Sequence, residues 1–398
     1  MAINVDALTT LVAAAVLYWL GNWLVKHIRL LRQYCIPAPL VGGLLFAVAN
    51  TALYASGRSY FTFNGHIQTF FMIVFFTTVG FTVRIPLLKQ GGKAVIRCLV
   101  LATALTLAQN VLGALVLGMM GQDPRLGLAV GSISLVGGPG TAAAFGPVLE
   151  EAGAAGGSVV GISAATFGLI MGSVLGGPTA NWLIQRKGIR GRNEDPATVA
   201  NLETDAQKLN AKRTGISVLL ILFCMGGSYV LAEAFTAFTG ITMPWFAATM
   251  LLSALMRNTT EMDEDEFPDR EAEAIGNISL CAFLSMAMMS LKIWELAELA
   301  GPLVIALAAQ TVLLLGFSVM IVFPKLGGDY DAAAMTAGFI GFSMGATSNA
   351  MANMQAVTNK YGPSPTAFLV IPLVGGMAID FVNIFVISTM LPMLGAFV

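Results

Sequence analysis

The sequence predicts an all-α integral membrane protein: two inverted-topology repeats of five transmembrane helices, each repeat carrying a re-entrant hairpin. Three observations predict it. First, 56% of the 398 residues are hydrophobic and 11% are charged, against about 25% charged in a soluble domain. Apolar runs long enough to cross a bilayer recur along the whole chain. Second, two of these runs are broken in matching places, at Gly137-Gly138-Pro139-Gly140-Thr141 and at Gly341-Phe342-Ser343-Met344-Gly345-Ala346-Thr347. Glycine costs about 1 kcal/mol and proline about 3 in a helix interior, so regular helix is not expected there. Broken backbone at membrane depth is tolerated only where protein buries it or a wet cavity adjoins it. Third, Lys and Arg are placed so that one threading of the chain through a bilayer is strongly favoured.

The predicted crossings of the first half are residues 6–24, 34–56, 66–86, 93–119 and 157–183, with the broken segment 124–147 before the last of them. A polar stretch, 185–213, follows. It holds Arg186, Lys187, Arg190, Arg192, Glu194 and Asp195 among others and reads as a solvated linker, partly helical. The second half is predicted to cross at 214–236, 243–258, 273–292, 301–324 and 363–397, with the broken segment 331–357 before the last. That last stretch is too long for one straight span, and Pro365, Pro372 and Gly375-Gly376 are expected to bend or divide it. The domain boundaries that result are a repeat over 1–184, a cytoplasmic linker over 185–213 and a repeat over 214–398.

The two halves repeat. Phe75–Leu88 aligns without gaps on Phe283–Leu296, which places Arg84 on Lys292, and Asp123–Pro147 aligns on Asp329–Asn353, which places Thr141 on Thr347. The offsets, 208 and 206 residues, barely drift. If each broken segment is a hairpin that enters and leaves on one side, and the N-terminus lies outside, 18 of the 21 Lys and Arg fall inside; Arg58, Arg125 and Lys292 remain outside. If both segments crossed fully, the count would be 9 inside and 12 outside. Positive charge is retained on the cytoplasmic side, so the hairpins are preferred. Each half then has an odd number of crossings, which inverts the second half relative to the first. Both termini lie outside, the linker is cytoplasmic, and the hairpin tips meet near the midplane. This arrangement points to a transporter with its site between two repeats.

At such a tip the helix ends carry unpaired N–H groups and half of a positive dipole, which hold anions without a charged side chain. Gly137, Gly138, Gly140 and Gly345 let a ligand approach the backbone. Ser134, Thr141, Ser343, Thr347, Ser348, Asn349 and Asn353 add neutral donors and acceptors. Carbonyls at the opposite helix ends suit Na⁺. Close helix packing through small residues is the competing reading of the glycines. Asp380 lies inside the final apolar stretch, where an Asp costs about 2.5–3.5 kcal/mol on insertion scales. It suits a substrate ammonium or a Na⁺, and Asn383 shares its helix face; an already wet Asp near a helix end is the competing reading. Gln109-Asn110 and Gln310-Thr311 interrupt the helices before the two hairpins. They brace the tips or simply bond helix to helix.

The rest of the polar inventory reads as structure. Glu150, Glu151 and the acidic run Glu261–Glu273 are expected to be solvated, and His27 and His66 interfacial. Cys35, Cys98, Cys224 and Cys281 form no CxxC pair and read as small buried residues rather than disulfides or metal ligands. No basic region precedes the first apolar run, so no cleaved signal peptide is expected. An intramembrane enzyme would need a zinc pattern, paired catalytic Asp residues or a Ser–His dyad within the apolar segments. None is visible, so neither an enzyme nor a cofactor is expected. A net charge of −1 gives no indication of a nucleic-acid partner.

Over nearly its whole length the chain resembles the bacterial glutamate:sodium symporter family. The resemblance is carried by Ile36-Pro37-Ala38-Pro39-Leu40-Val41-Gly42-Gly43-Leu44, by Gly131-Ser132-Ile133-Ser134 leading into Gly137-Gly138-Pro139-Gly140-Thr141, and by Ala165-Thr166-Phe167-Gly168-Leu169. The second half adds Leu291-Lys292-Ile293-Trp294-Glu295-Leu296-Ala297, Ala350-Met351-Ala352-Asn353-Met354-Gln355-Ala356, and Gly375 through Asn383. It implies Na⁺-coupled uptake of L-glutamate, a homodimer in the bacterial inner membrane and, by analogy with related transporters, an elevator motion. Substrate is then expected at Ser134, Gly137, Gly138, Gly140, Thr141, Ser343, Gly345, Thr347, Asn349, Asp380 and Asn383, and Na⁺ at Thr166, Asn353 and Asp380. A Na⁺-coupled carrier of another carboxylate is the nearest alternative, and a gated channel a further one.

Overall fold

The fold is taken from a computed structural model that describes residues 2–29, 31, 36–57, 59–86, 92–189, 210–239, 243–259, 267–296 and 299–395. Eight of the described helices are long and apolar enough to cross a membrane. They are α1 (Ala7–His27), α2 (Ala38–Ala55), α4 (Gly92–Met119), α8 (Gly157–Lys187), α9 (Ala211–Thr239), α11 (Asp269–Met289), α12 (Ala300–Lys325) and α15 (Pro365–Gly395). Two shorter helices, α3 (Gly65–Phe81) and α10 (Trp245–Thr259), complete the series. The first broken segment consists of α5 (Leu126–Val130), α6 (Ser132–Leu135) and α7 (Gly138–Glu151), and the second of α13 (Tyr330–Met344) and α14 (Thr347–Tyr361). The chain is thus a multi-pass, helical integral membrane protein. The order of elements is the same in the two halves: three helices, a fourth, a broken segment, a last helix. The register repeats as well, since α3 and α11 end at Phe81 and Met289, 208 residues apart.

The described residues form two compact units, each drawing on both halves. The first comprises residues 1–32, 37–85 and 206–295, so it holds the first three helices of each half. The Asp6 carboxylate caps α1 by accepting from the Leu8 and Thr9 amides, both at 3.0 Å. An element that helical periodicity did not show is a parallel strand pair, β1 (Ala2–Val5) with β2 (Tyr60–Phe63), in register Ala2↔Tyr60 to Val5↔Phe63. The Asn50 side chain clamps it from α2, donating to the Phe61 carbonyl at 3.0 Å and accepting from the Phe61 amide at 2.8 Å.

The acidic run also differs from expectation. Residues 261–266 lie outside the described residues, but Asp269 and Glu271 are not simply solvated. Asp269 receives the Arg84 and Arg257 guanidinium groups, the latter at 3.4 Å, and Glu271, 4% exposed, pairs with Arg213 at 3.4 Å. Both acids sit in the first turn of α11, where negative charge complements the helix dipole. Arg257 also stacks 4.2 Å above the Phe267 ring. Cys98 and Cys224 are buried and free, as expected, Cys281 is half-buried, and Cys35 lies outside the described residues. Of the predicted linker, 190–209 lie outside the described residues; α8 runs to Lys187 and α9 starts at Ala211.

The second unit comprises residues 33–36, 86–205 and 296–398 and holds both broken segments. The long α8 packs against both. The last stretch is continuous rather than divided. Pro365 sits in the first turn, where its missing N–H costs nothing, and the helix runs on through a wider π turn at Val374–Ala378. A second π turn, Ser318–Val322, lies just before Pro324 in α12.

Candidate functional site

Both broken segments are breaks in the backbone, and they fall within the stretches the glycines suggested, with one further departure at Gly131. In the first, the chain leaves helical geometry at Gly131 (φ −97°, ψ −130°) and again at Gly138, whose φ of +66° favours glycine. Pro139, Gly140 and Thr141 then form the first turn of α7. Proline is at home there because its absent N–H would have had no partner. In the second, α13 continues through Gly341 and Ser343, and the break is confined to Gly345 and Ala346. Residues 126–136 and 332–345 are buried without interruption, which meets the requirement that irregular backbone at membrane depth be enclosed.

The two breaks come together. A side chain added at Gly138 would place its first carbon 3.2 Å from the Gly345 carbonyl oxygen. α8 lies against the same place: a Cβ at Gly168 would be 2.4 Å from the Met344 carbonyl, and one at Gly176 would be 2.2 Å from the Asn353 amide. Gly168, Gly172 and Gly176 follow at four-residue spacing and form the face on which the second segment rests. That spacing was the signal in the sequence, and it passed unread because α8 has no break of its own.

Buried amides fasten the breaks to their surroundings. Gln109 donates to the Ser343 carbonyl at 3.1 Å, and Gln310 to the Gln109 carbonyl at 2.7 Å. Asn110 accepts from the Ser132 amide at 2.8 Å, and Asn383 donates to the Ser132 carbonyl at 3.0 Å. Asn349 donates to Leu169 at 3.0 Å, Asn353 to Gly172 at 2.7 Å, Thr347 to Gly375 at 2.9 Å, and Ser134 to Gly161 at 2.7 Å. The polar pair of α4 thus holds both broken segments, at Ser343 and at Ser132, whereas in α12 Gln310 bonds helix to helix and Thr311 bonds its own helix at Leu307. Ser132 joins this set although the sequence singled it out only within a motif. Thr166 does not: its hydroxyl bonds its own helix at Ile162, 2.9 Å away. Asn353 sits nearly two turns along α14 from the break and braces that helix on α8.

Asp380 lies on α15 between the two points that tie this helix to the breaks, Gly375 at the second and Asn383 at the first. It is partly exposed and has no hydrogen-bond or ion-pair partner among the described residues. The start of α13 is capped by Asp329, which accepts from the Ala332 amide at 2.9 Å. The starts of α7 and α14, at the breaks, have no side-chain cap. Their first N–H groups and the positive ends of two helix dipoles are left for something else to satisfy.

The outer ends of both segments are pinned. The Asp123 carboxylate receives Arg125 Nε at 2.9 Å, while Arg125 also reaches the Ala152 carbonyl. Burial pushes the Asp123 carboxyl upward, but the Arg125 hydrogen bonds and charge outweigh it and hold the group below its ordinary value. At the second segment the Tyr330 hydroxyl donates to the Gly362 carbonyl, and Ser364 donates to Asp331 at 2.7 Å.

The family model described as sodium/glutamate symporter matches residues 3–363. The chain is 36% identical over 392 residues to the sodium/glutamate symporter of Escherichia coli (strain K12), covering 97% of each chain, and equally similar to that of Shigella flexneri. It is 34% identical over 392 residues to the sodium/glutamate symporter of Haemophilus influenzae, covering 96% of each. The chain therefore belongs to the sodium/glutamate symporter family.

Proposed function

We propose that the chain is a secondary active transporter that couples inward movement of Na⁺ to uptake of L-glutamate, and no enzyme. One observation carries the substrate reading: two uncapped helix N-termini meet at the breaks, beside a carboxylate that has no partner among the described residues. L-Glutamate offers two carboxylates and one ammonium. One carboxylate suits the α7 start, with Gly137, Gly138, Gly140 and Thr141; the other suits the α14 start, with Gly345, Thr347 and Asn349. Ser134, Ser343 and Asn383 remain the other substrate candidates. Asp380 supplies the negative charge for the ammonium or for a Na⁺ beside it. Thr166 and Asn353 remain the other sodium candidates.

Coupling to Na⁺ rests on the relatives, which are named for it. The membrane potential supplies about 2.3 kcal/mol per charge per 100 mV. Glutamate carries one negative charge, so inward driving by the potential requires more than one Na⁺ per substrate. The two halves are read as inverted repeats, 1–184 and 214–398, with the broken segments as re-entrant hairpins at about 124–147 and 331–357. The Lys and Arg distribution supports this orientation, with both termini outside and the linker 185–213 in the cytoplasm of a bacterium. The second unit, fastened through α8, is suited to travel as one body in an elevator motion. The first unit, built from the early helices of both halves, is suited to anchor a homodimer in the inner membrane.

The test is Asp380→Asn in reconstituted protein. Na⁺-driven uptake of L-glutamate is expected to fall at least tenfold. If Asp380 holds the ammonium, glutarate, which lacks one, inhibits residual transport as well as it inhibits wild type. Wild-type uptake by the variant refutes the assignment. Stronger competition by citrate than by glutamate or aspartate in wild type favours the other-carboxylate reading.

A further inference from the structure

We infer that Phe342 and Gly375 are positioning residues for Asp380: their contact holds the π turn of α15 and so sets the helix face on which Asp380 stands. The inference rests on the reading of Asp380 as a binding carboxylate and deepens it. α13 and α15 pack by exchanging large and small residues. A Cβ added at Gly338 would lie 2.8 Å from Ile371 Cγ2, and one added at Gly375 would lie 2.6 Å from Phe342 Cγ. Ile371 thus fills the place that Gly338 leaves. Four residues on in each helix, the Phe342 ring fills the place that Gly375 leaves. Phe342 is 1% exposed, and its ring meets that of Phe339 edge to face at 5.1 Å. In so close-packed a setting the ring has nowhere to withdraw.

Gly375 lies within the π turn, Val374–Ala378, at whose end the Ile379 amide donates to the Val374 carbonyl, five residues back. A second bond holds the turn from outside, since the Thr347 hydroxyl donates to the Gly375 carbonyl at 2.9 Å. The turn sets the phase of everything after it. Residues three and four apart share a face of a regular helix, so Ile379 and Val382 would follow Ile371 and Gly375 toward the broken segments. A π turn takes up one extra residue, which rotates later residues by about 100°. Asp380 and Asn383 therefore take the face that Ile379 and Val382 would otherwise have had. Asn383 shows that this phase is realised: it is 1% exposed, and its amide reaches the Ser132 carbonyl at 3.0 Å. Regular helix would turn both polar side chains away from the breaks and put two apolar ones in their place.

The test measures the affinity of full-length protein in detergent for L-glutamate at saturating Na⁺, by calorimetry. Gly375→Ala sets a methyl group against the Phe342 ring and is expected to weaken binding about tenfold, equivalent to about 1.4 kcal/mol. Gly376→Ala, whose methyl would meet nothing nearer than 3.4 Å, is expected to bind as wild type. A residue that acts through Asp380 is not additive with it, so adding Gly375→Ala to Asp380→Asn should weaken binding by less than about twofold more. Should Gly375→Ala not fold, Phe342→Leu removes most of the ring from the same contact, and the same non-additive loss is expected. Unchanged affinity in Gly375→Ala, or an equal loss with and without Asp380→Asn, assigns the contact to packing alone and overturns the inference. Asp380→Asn that binds L-glutamate as tightly as wild type overturns the Asp380 reading as well.

Discussion

Gly168→Ala tests the packing on which the site rests. Its new methyl group would lie 2.4 Å from the Met344 carbonyl oxygen, the last residue of α13 before the break. Ordinary contact begins at 3.4 Å, so backbone at the tip must retreat by about 1 Å, since neither partner is a flexible side chain. Overpacking of this kind costs about 1–3 kcal/mol, against about 1 kcal/mol gained by replacing glycine with alanine in a helix. Gly177→Ala on the same helix provides the comparison. Its methyl would meet nothing nearer than 4.0 Å, and it keeps the helical gain without the clash. The difference between the two variants, about 1–3 kcal/mol, isolates the contact. Misplacing a binding group by about 1 Å lowers turnover by up to about a hundredfold in enzymes, so Gly168→Ala is expected to reduce initial L-glutamate uptake at least tenfold. Thermal unfolding and uptake would be measured for both proteins at matched reconstitution. Equal melting temperatures and equal uptake for the two variants would refute the reasoning.

Asn383→Leu removes the amide that holds the Ser132 carbonyl at 3.0 Å. A stability loss of about 1–3 kcal/mol is expected in thermal unfolding, together with a raised KM for L-glutamate; an unchanged KM would separate this bond from the site. Arg84→Ala breaks a partly exposed pair with Asp269 in the first unit. It should cost about 1 kcal/mol or less and leave KM unchanged, so a KM shift in uptake would count against a structural role. The Asp123 carboxyl is held below its usual range by Arg125, so its contribution is present at neutral pH and is lost as pH falls through the depressed value. The difference in melting temperature between wild type and Asp123→Asn should therefore persist down to about pH 4 and vanish only in stronger acid. A difference that vanishes by pH 6 would contradict that sign. Transport should carry net positive charge inward, and solid-supported-membrane recordings showing no current on adding L-glutamate with saturating Na⁺ would exclude coupling to more than one Na⁺.

The membrane crossings were legible because bilayer thickness imposes a length on every apolar run, and the register between the halves survived into the helix ends at Phe81 and Met289. The breaks were legible from composition to within a few residues, but their local geometry was not. A propensity scale charges Pro139 as if it were interior, whereas in the first turn of α7 it costs little. It charges Gly341 too, yet that residue remains helical, and glycine stands there because Ala350 lies where a side chain would be. Partners distant in sequence left no local trace. The Ala2–Val5 strand finds Tyr60–Phe63, Glu271 finds Arg213, and Asn383 finds Ser132. Gln109 and Ser343 are each legible as polar residues in apolar segments, but nothing local pairs two residues 234 apart.

The account's central claim is Na⁺-coupled movement of L-glutamate, and radiolabelled L-glutamate uptake into proteoliposomes with an imposed inward Na⁺ gradient tests it most directly, with K⁺ replacing Na⁺ as the control. The account predicts accumulation above the external concentration that requires Na⁺ and collapses when the gradient is dissipated. Folded protein that equilibrates L-glutamate without concentrating it, or concentrates it equally in K⁺, would contradict it.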